Sequence, residues 1–119
     1  MRTVLIVDDE PKICRMLQRF FELRGFRTLA TQSGRDALAT AEREPLDYVL
    51  LDVRMPEMSG LEVLRELKAR RPQIPVIMVS AHTDREVIDE AFRLGACDYI
   101  TKPMSFEEPA WARAFFSDP

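Results

Sequence analysis

Five short apolar runs, each followed by a segment of helical periodicity, constrain this chain more than any other feature. The runs are Thr3–Val7, Arg27–Ala30, Tyr48–Leu51, Val76–Val79 and Asp98–Ile100. Strand-length runs alternating with helix-length patterns indicate an α/β fold with a parallel sheet. Their near-continuous apolar character predicts strands covered by helices on both faces. The helices are marked by punctuation. Ile13, Met16, Leu17, Phe20 and Phe21 recur at helical spacing, and Gly25 follows their end. Four later starts carry Ser or Thr three residues before an acid: Ser33–Asp36, Ser59–Glu62, Thr83–Glu86 and Ser105–Glu108. The last three end in Glu and predict capping boxes. Gly95 is placed to close the fourth helix, and Pro45 and Pro72 follow the second and third.

Four of the runs end in chemistry. Asp8 and Asp9 follow the first, Asp52 the third, Ser80 the fourth and Lys102 the fifth. Strands of an open parallel sheet bring their carboxyl ends to one rim, so these groups are expected to share a cleft. Carboxylates about 4 Å apart repel by roughly 4 kcal/mol at an effective dielectric of 20. A hard divalent cation relieves that repulsion, and all-oxygen ligation is what magnesium takes. Asp8-Asp9 alone reads equally well as an N-terminal cap ahead of Glu10-Pro11. Asp52 at the same rim tips the reading to metal binding.

The bulk properties narrow the partners. At 119 residues the chain is long enough for one domain with an ordinary core. A net charge of -3, with both signs interspersed, offers no basic surface for nucleic acid. No apolar stretch reaches membrane-spanning length, and a strand beginning at Thr3 leaves no room for a signal peptide, so a cytoplasmic location is expected. Cys14 and Cys97 fit no metal spacing and read as unpaired thiols.

From Thr3 to Pro103 the chain resembles the receiver domain of bacterial two-component response regulators. The resemblance is carried by Asp8-Asp9, by Ser80-Ala81, by Lys102-Pro103 and above all by Asp52-Val53-Arg54-Met55-Pro56-Glu57-Met58-Ser59-Gly60. It implies a doubly wound, flavodoxin-like (βα)5 sandwich with a parallel sheet of order 2-1-3-4-5, one receiver domain over residues 1–119. It implies phosphorylation of Asp52 by a sensor histidine kinase or histidine phosphotransferase. Mg2+ or Mn2+ would be held by Asp8, Asp9, Asp52 and the main-chain carbonyl of Arg54. Ser80, Lys102 and Tyr99 would form the switch, with a cis Lys102–Pro103 peptide. Such a module signals rather than catalyses turnover, although it assists its own phosphorylation and dephosphorylation.

Two side chains border this site. Arg54 flanks the approach of water, and His82 reads as a solvent-facing loop residue at the mouth. Residues 104–119 depart from the family, because Pro109 interrupts the expected fifth helix. Trp111, Phe115 and Phe116 either cap the sheet beside the first helix or stay exposed. In the exposed case, they would form a homodimer or partner face with the fourth helix and fifth strand. Two other readings compete. An aspartyl-phosphate hydrolase of the haloacid-dehalogenase type needs a second Asp where Arg54 stands. A flavodoxin-like redox carrier needs a hydroxyl-rich phosphate loop where Asp8-Asp9-Glu10 would repel it.

Overall fold

The computed structural model describes residues 1–104 and Trp111. In chain order the elements are β1 (Thr3–Val7), α1 (Pro11–Glu22), β2 (Arg27–Thr31), α2 (Gly34–Arg43), β3 (Tyr48–Leu51), α3 (Gly60–Arg70), β4 (Val76–Ser80), α4 (Arg85–Arg93) and β5 (Asp98–Thr101). The five strands form one parallel sheet of order β2-β1-β3-β4-β5. This order sets β1 against β3, and the chain winds away from them in both directions. The crevice beyond their carboxyl ends is therefore the switch point of the sheet.

Period-two alternation sorts each strand between two cores. Val4, Ile6, Leu50, Ile77, Val79 and Ile100 pack towards α1. Leu5, Val7, Val49, Leu51, Val76 and Met78 pack towards α2, α3 and α4. The second layer is aliphatic and tight, whereas the α1 layer is aromatic. There Phe20, Phe21 and Trp111 meet with ring centroids 5.0 to 5.9 Å apart. Such pairs contribute about 0.5–1.5 kcal/mol each beyond their burial. Trp111 is only 1% exposed, so this ring caps the sheet beside α1. Phe115, Phe116, Pro109 and the Ser105–Glu108 pair lie outside the described residues.

The helix starts follow local chemistry. Ser59 accepts from the Glu62 N–H while the Glu62 side chain returns to the Ser59 N–H, completing a capping box on α3. Ser33 caps α2 by accepting from the Asp36 N–H. The fourth start is corrected: α4 has Asp84, not Thr83, as its N-cap. The carbonyl of Asp84 accepts from Val87 and Ile88, which sets the first turn one residue later than the Thr83–Glu86 spacing predicts. Gly95 then leaves α4 at φ 109°, a backbone conformation with no Cβ to obstruct it. Among the described residues no helix is long and apolar enough to cross a membrane.

Candidate functional site

Strand register delivers the rim residues. Val7 pairs with Leu51 and Leu51 with Met78, so Asp8 and Asp52 leave adjacent strands side by side. The Asp52 N–H donates to the Val7 carbonyl at 3.0 Å, extending the ladder one step past β3. Ser80 pairs with Thr101, and the Lys102 N–H donates to the Ser80 carbonyl at 2.9 Å. These residues enclose a cleft of about 470 Å³ lined by Asp9, Glu10, Asp52, Arg54, Ser80, Ala81, His82 and Lys102.

Asp8 forms the floor beneath it and is 2% exposed, with Asp52 at 6%. Lys102 Nζ donates to Asp8 Oδ2 at 2.7 Å and to Asp52 Oδ2 at 3.3 Å. Glu10 stands 3.6 Å from the same ammonium. Burial raises the pKa of Asp8 above the usual carboxylate value, outweighing the lowering by the Lys102 hydrogen bond. Burial works the other way on Lys102, yet the bond to Asp8 and the charges of Asp52 and Asp8 leave its pKa raised. The ammonium is thus firmly charged, and Asp8 ionises against a penalty.

The carboxylate oxygens of Asp8, Asp9 and Glu10 come within 4.8 Å of one another. Glu10 in this trio was not singled out by the sequence, although its place directly after Asp9 is a signal. Asp52 stands outside the trio and joins it through Lys102. A hard cation fits this all-oxygen, excess-negative donor set, with Asp8, Asp9 and Glu10 as the nearest ligands present. Cys14 sits just behind, its thiol donating to the Asp8 carbonyl at 3.3 Å. Burial pushes that thiol up to about 11, which makes it an inert packing group rather than a thiolate ligand. Cys97 is also unpaired.

The loop after β3 is shaped by contact. Gly60 donates to the Val53 carbonyl at 2.7 Å, and a Cβ there would lie 1.8 Å from the Asp52 carbonyl oxygen. No other residue fits without displacing Asp52. Glu57 takes φ 71° in the same loop, a left-handed conformation costing a side chain about 1 kcal/mol.

At the mouth, the expectation of a solvent-facing His82 is corrected. Its side chain is 15% exposed, because Arg54 Nε donates to its Nδ1 at 2.9 Å and Asp84 faces its Nε2 at 3.1 Å. The histidine backbone is engaged as well: its N–H donates to Ser80 Oγ at 3.1 Å, and its carbonyl accepts from the Tyr99 hydroxyl. Tyr99 therefore does not line the cleft. Its half-buried ring packs on the α4 side of the sheet, and its hydroxyl meets both the His82 carbonyl and the Ser80 side chain. Burial raises the Tyr99 pKa, which keeps the hydroxyl protonated and able to donate. The Lys102–Pro103 peptide is cis.

A doubly wound sheet with acids, a hydroxyl and a lysine at its switch point belongs to the class of open α/β proteins whose chemistry lies beyond the carboxyl ends of the strands. The family model described as response regulator receiver domain matches residues 4–110. The chain belongs to that family and is a receiver domain of two-component signalling. It is 43% identical to the regulatory protein AtoC of Escherichia coli (strain K12) over 88% of this chain and 23% of AtoC. It is 41% identical to the transcriptional regulatory protein KdpE of Mycobacterium tuberculosis over 91% of this chain and 47% of KdpE. The chain thus spans between about a quarter and a half of these relatives. Among solved structures it resembles the response regulator TrrA of Thermotoga maritima in complex with Mg(2+)-BeF. That match has a TM-score of 0.86 at 28% identity and covers 98% of this chain and all of TrrA.

Proposed function

We propose that this receiver, taken as one domain over residues 1–119, accepts a phosphoryl group on Asp52. The donor is the phosphohistidine of a sensor histidine kinase or histidine phosphotransferase. The observation that carries the reading is the pairing of Asp52 with Lys102 at 3.3 Å, in a cleft that also holds the acidic trio. An oxygen of Asp52 attacks phosphorus, the P–N bond to the donor imidazole breaks, and the electron pair returns to that nitrogen, which takes a proton. Lys102 holds positive charge against the oxygens as they become more exposed to it. Positioning and charge neutralisation of this kind supply most of what phosphoryl transfer requires.

Mg2+ or Mn2+, when bound, would neutralise phosphoryl oxygens and relieve the carboxylate repulsion. Asp8, Asp9, Asp52 and the Arg54 main-chain carbonyl are assigned as its ligands, with Glu10 close by. Ser80 is assigned a hydrogen bond donated to the modified carboxylate while its oxygen still accepts from the His82 N–H, and Tyr99 is coupled to the same hydroxyl and peptide. Arg54 lies across the path of attacking water and slows the loss of the phosphoryl group, a reaction the site itself assists. The altered surface of α4 and β5 would then meet its partner or a second copy of the chain. No nucleic acid or membrane is assigned to this domain, and the cytoplasm is its proposed location.

The test is intact mass after incubation with acetyl phosphate and magnesium. One labile phosphoryl group is expected, abolished by Asp52→Asn and by chelator. An unshifted wild-type mass would sink the reading. The same result would reopen the haloacid-dehalogenase alternative, which Arg54 otherwise disfavours.

A further inference from the structure

The side chains at the mouth form a continuous run of hydrogen bonds for which phosphoryl transfer has no use. It passes from Arg54 Nε to His82 Nδ1 and from His82 Nε2 to Asp84 Oδ2. A guanidinium only donates, so Nδ1 must accept and the ring hydrogen stands on Nε2, facing Asp84. With its N–H on Ser80 and its carbonyl on Tyr99, His82 joins the loop after β3, the end of β4, β5 and the first turn of α4.

The position of Asp84 gives this run a consequence. It is the N-cap of α4, where an aspartate ordinarily accepts from an N–H two or three residues on. Here its side chain caps neither, because one oxygen is turned to His82. The first turn of α4 therefore goes without the acceptor that its own sequence supplies. That carboxylate is 73% exposed, so little packing opposes its rotation.

We propose that Arg54, His82 and Asp84 form a latch coupling the Asp52 site to the N-cap of α4. The proposal rests on the phosphoacceptor reading. A phosphoryl group adds acceptor oxygens within the cleft, and Arg54 and the Ser80 hydroxyl turn to them. The Arg54 bond to the ring is then lost, while the Ser80 hydroxyl donates to the phosphoryl group and still accepts from the His82 N–H. The ring swings away, and the Asp84 side chain turns to the Glu86 N–H and to that of Val87, which already donates to the Asp84 carbonyl at 3.1 Å. His82 touches no reacting atom; it is a positioning residue whose effect is read at α4.

Amide hydrogen exchange at Glu86 and Val87, followed by NMR on the whole chain, tests this. Beryllofluoride with magnesium serves as the phosphoryl mimic, and its bound fluorine signal reports occupancy. In wild type, occupancy should slow exchange at these amides about fivefold, the factor an aspartate N-cap supplies. His82→Ala should show the slow rate without the mimic and no further change with it. His82→Asn keeps an acceptor near Nδ1 for Arg54 but nothing at Nε2, so it should behave like His82→Ala at α4. Asp84→Ala should exchange fast in both states. Bound fluorine with unchanged wild-type amides overturns the latch alone, as does a full wild-type response in His82→Ala. No bound fluorine at all overturns the phosphoacceptor reading and the latch with it.

Discussion

The floor and the mouth of the cleft hold charge in opposite ways. On the floor, Asp8 and Asp52 are 2% and 6% exposed and share one lysine whose side chain is 10% exposed. At the mouth, Arg54 and Asp84 are exposed and hang on one histidine. Charges shielded from water interact strongly and must be partnered, so the floor resists rearrangement until its balance of charge changes. Bonds between exposed groups contribute little and are exchanged cheaply. Under the proposed function, this contrast gives binding and transfer to the floor, and timing and readout to the mouth.

The largest effect should come from removing the floor's cation. Lys102→Ala leaves Asp8 and Asp52 facing each other with no cation between them, although Asp8 still accepts from the Glu10 N–H at 2.9 Å. Denaturant unfolding in chelator at pH 7 should show a loss of about 3 kcal/mol, and labelling by acetyl phosphate should fall about a hundredfold. The pKa of Lys102 is raised, so the stability it contributes is present below its ordinary value of 10.5 and is lost as pH rises through the folded value. The gap between wild type and variant should therefore persist through neutral pH and close in alkali. A stability loss below about 0.5 kcal/mol would erase the contrast, making the floor as loosely coupled as the mouth.

Asp8→Asn probes the opposite sign. Because burial raises the Asp8 pKa, the folded state favours the protonated acid, and ionisation costs stability once pH passes the ordinary value of 3.8. The neutral amide should match wild type below that pH. Its advantage should grow as pH rises through the folded value, reaching about 1 kcal/mol in chelator at pH 7. Magnesium affinity, read by Trp111 fluorescence, should fall by more than the roughly tenfold that losing an outer partner costs. A variant less stable than wild type at pH 7 would mean that the lysine bond outweighs burial and that the floor carries no stored repulsion.

The same division governs what could be read from the sequence. Asp8, Asp52, Ser80 and Lys102 were legible because each ends an apolar run, and parallel register leaves a strand-end residue only one place to go. Their arrangement follows from backbone geometry, which periodicity reports. The mouth depends instead on side-chain rotamers of loop residues. His82 looked exposed because nothing in Ser80-Ala81-His82-Thr83 says that Arg54, far away in the chain, will accept its company. Thr83–Glu86 has the spacing of a capping box, but it lost to Asp84, whose carbonyl starts α4 one residue later. Trp111 had two plausible fates by composition. Contact with Phe20 and Phe21 decides it, and that contact belongs to packing rather than to pattern.

The smallest expected effect is kinetic and belongs to the mouth. Arg54 is exposed, and its guanidinium is already held 2.9 Å from His82 across the opening, so no folding is needed to bring it over the phosphoryl group. It can obstruct the in-line approach of water and pair with phosphoryl oxygens. An exposed pair of this kind contributes several tenths of a kcal/mol, so Arg54→Ala should shorten the life of the phosphorylated form about threefold. Stability should stay within about 0.5 kcal/mol of wild type, since the side chain fills no core. Arg54→Lys should recover only part of the lifetime, because an ammonium keeps the charge but not the planar breadth that covers the opening. The measurement is loss of the phosphoryl group by mass after acetyl phosphate is removed. A lifetime in Arg54→Ala equal to or longer than wild type would show that Arg54 guides water inwards, and would leave the mouth with readout alone.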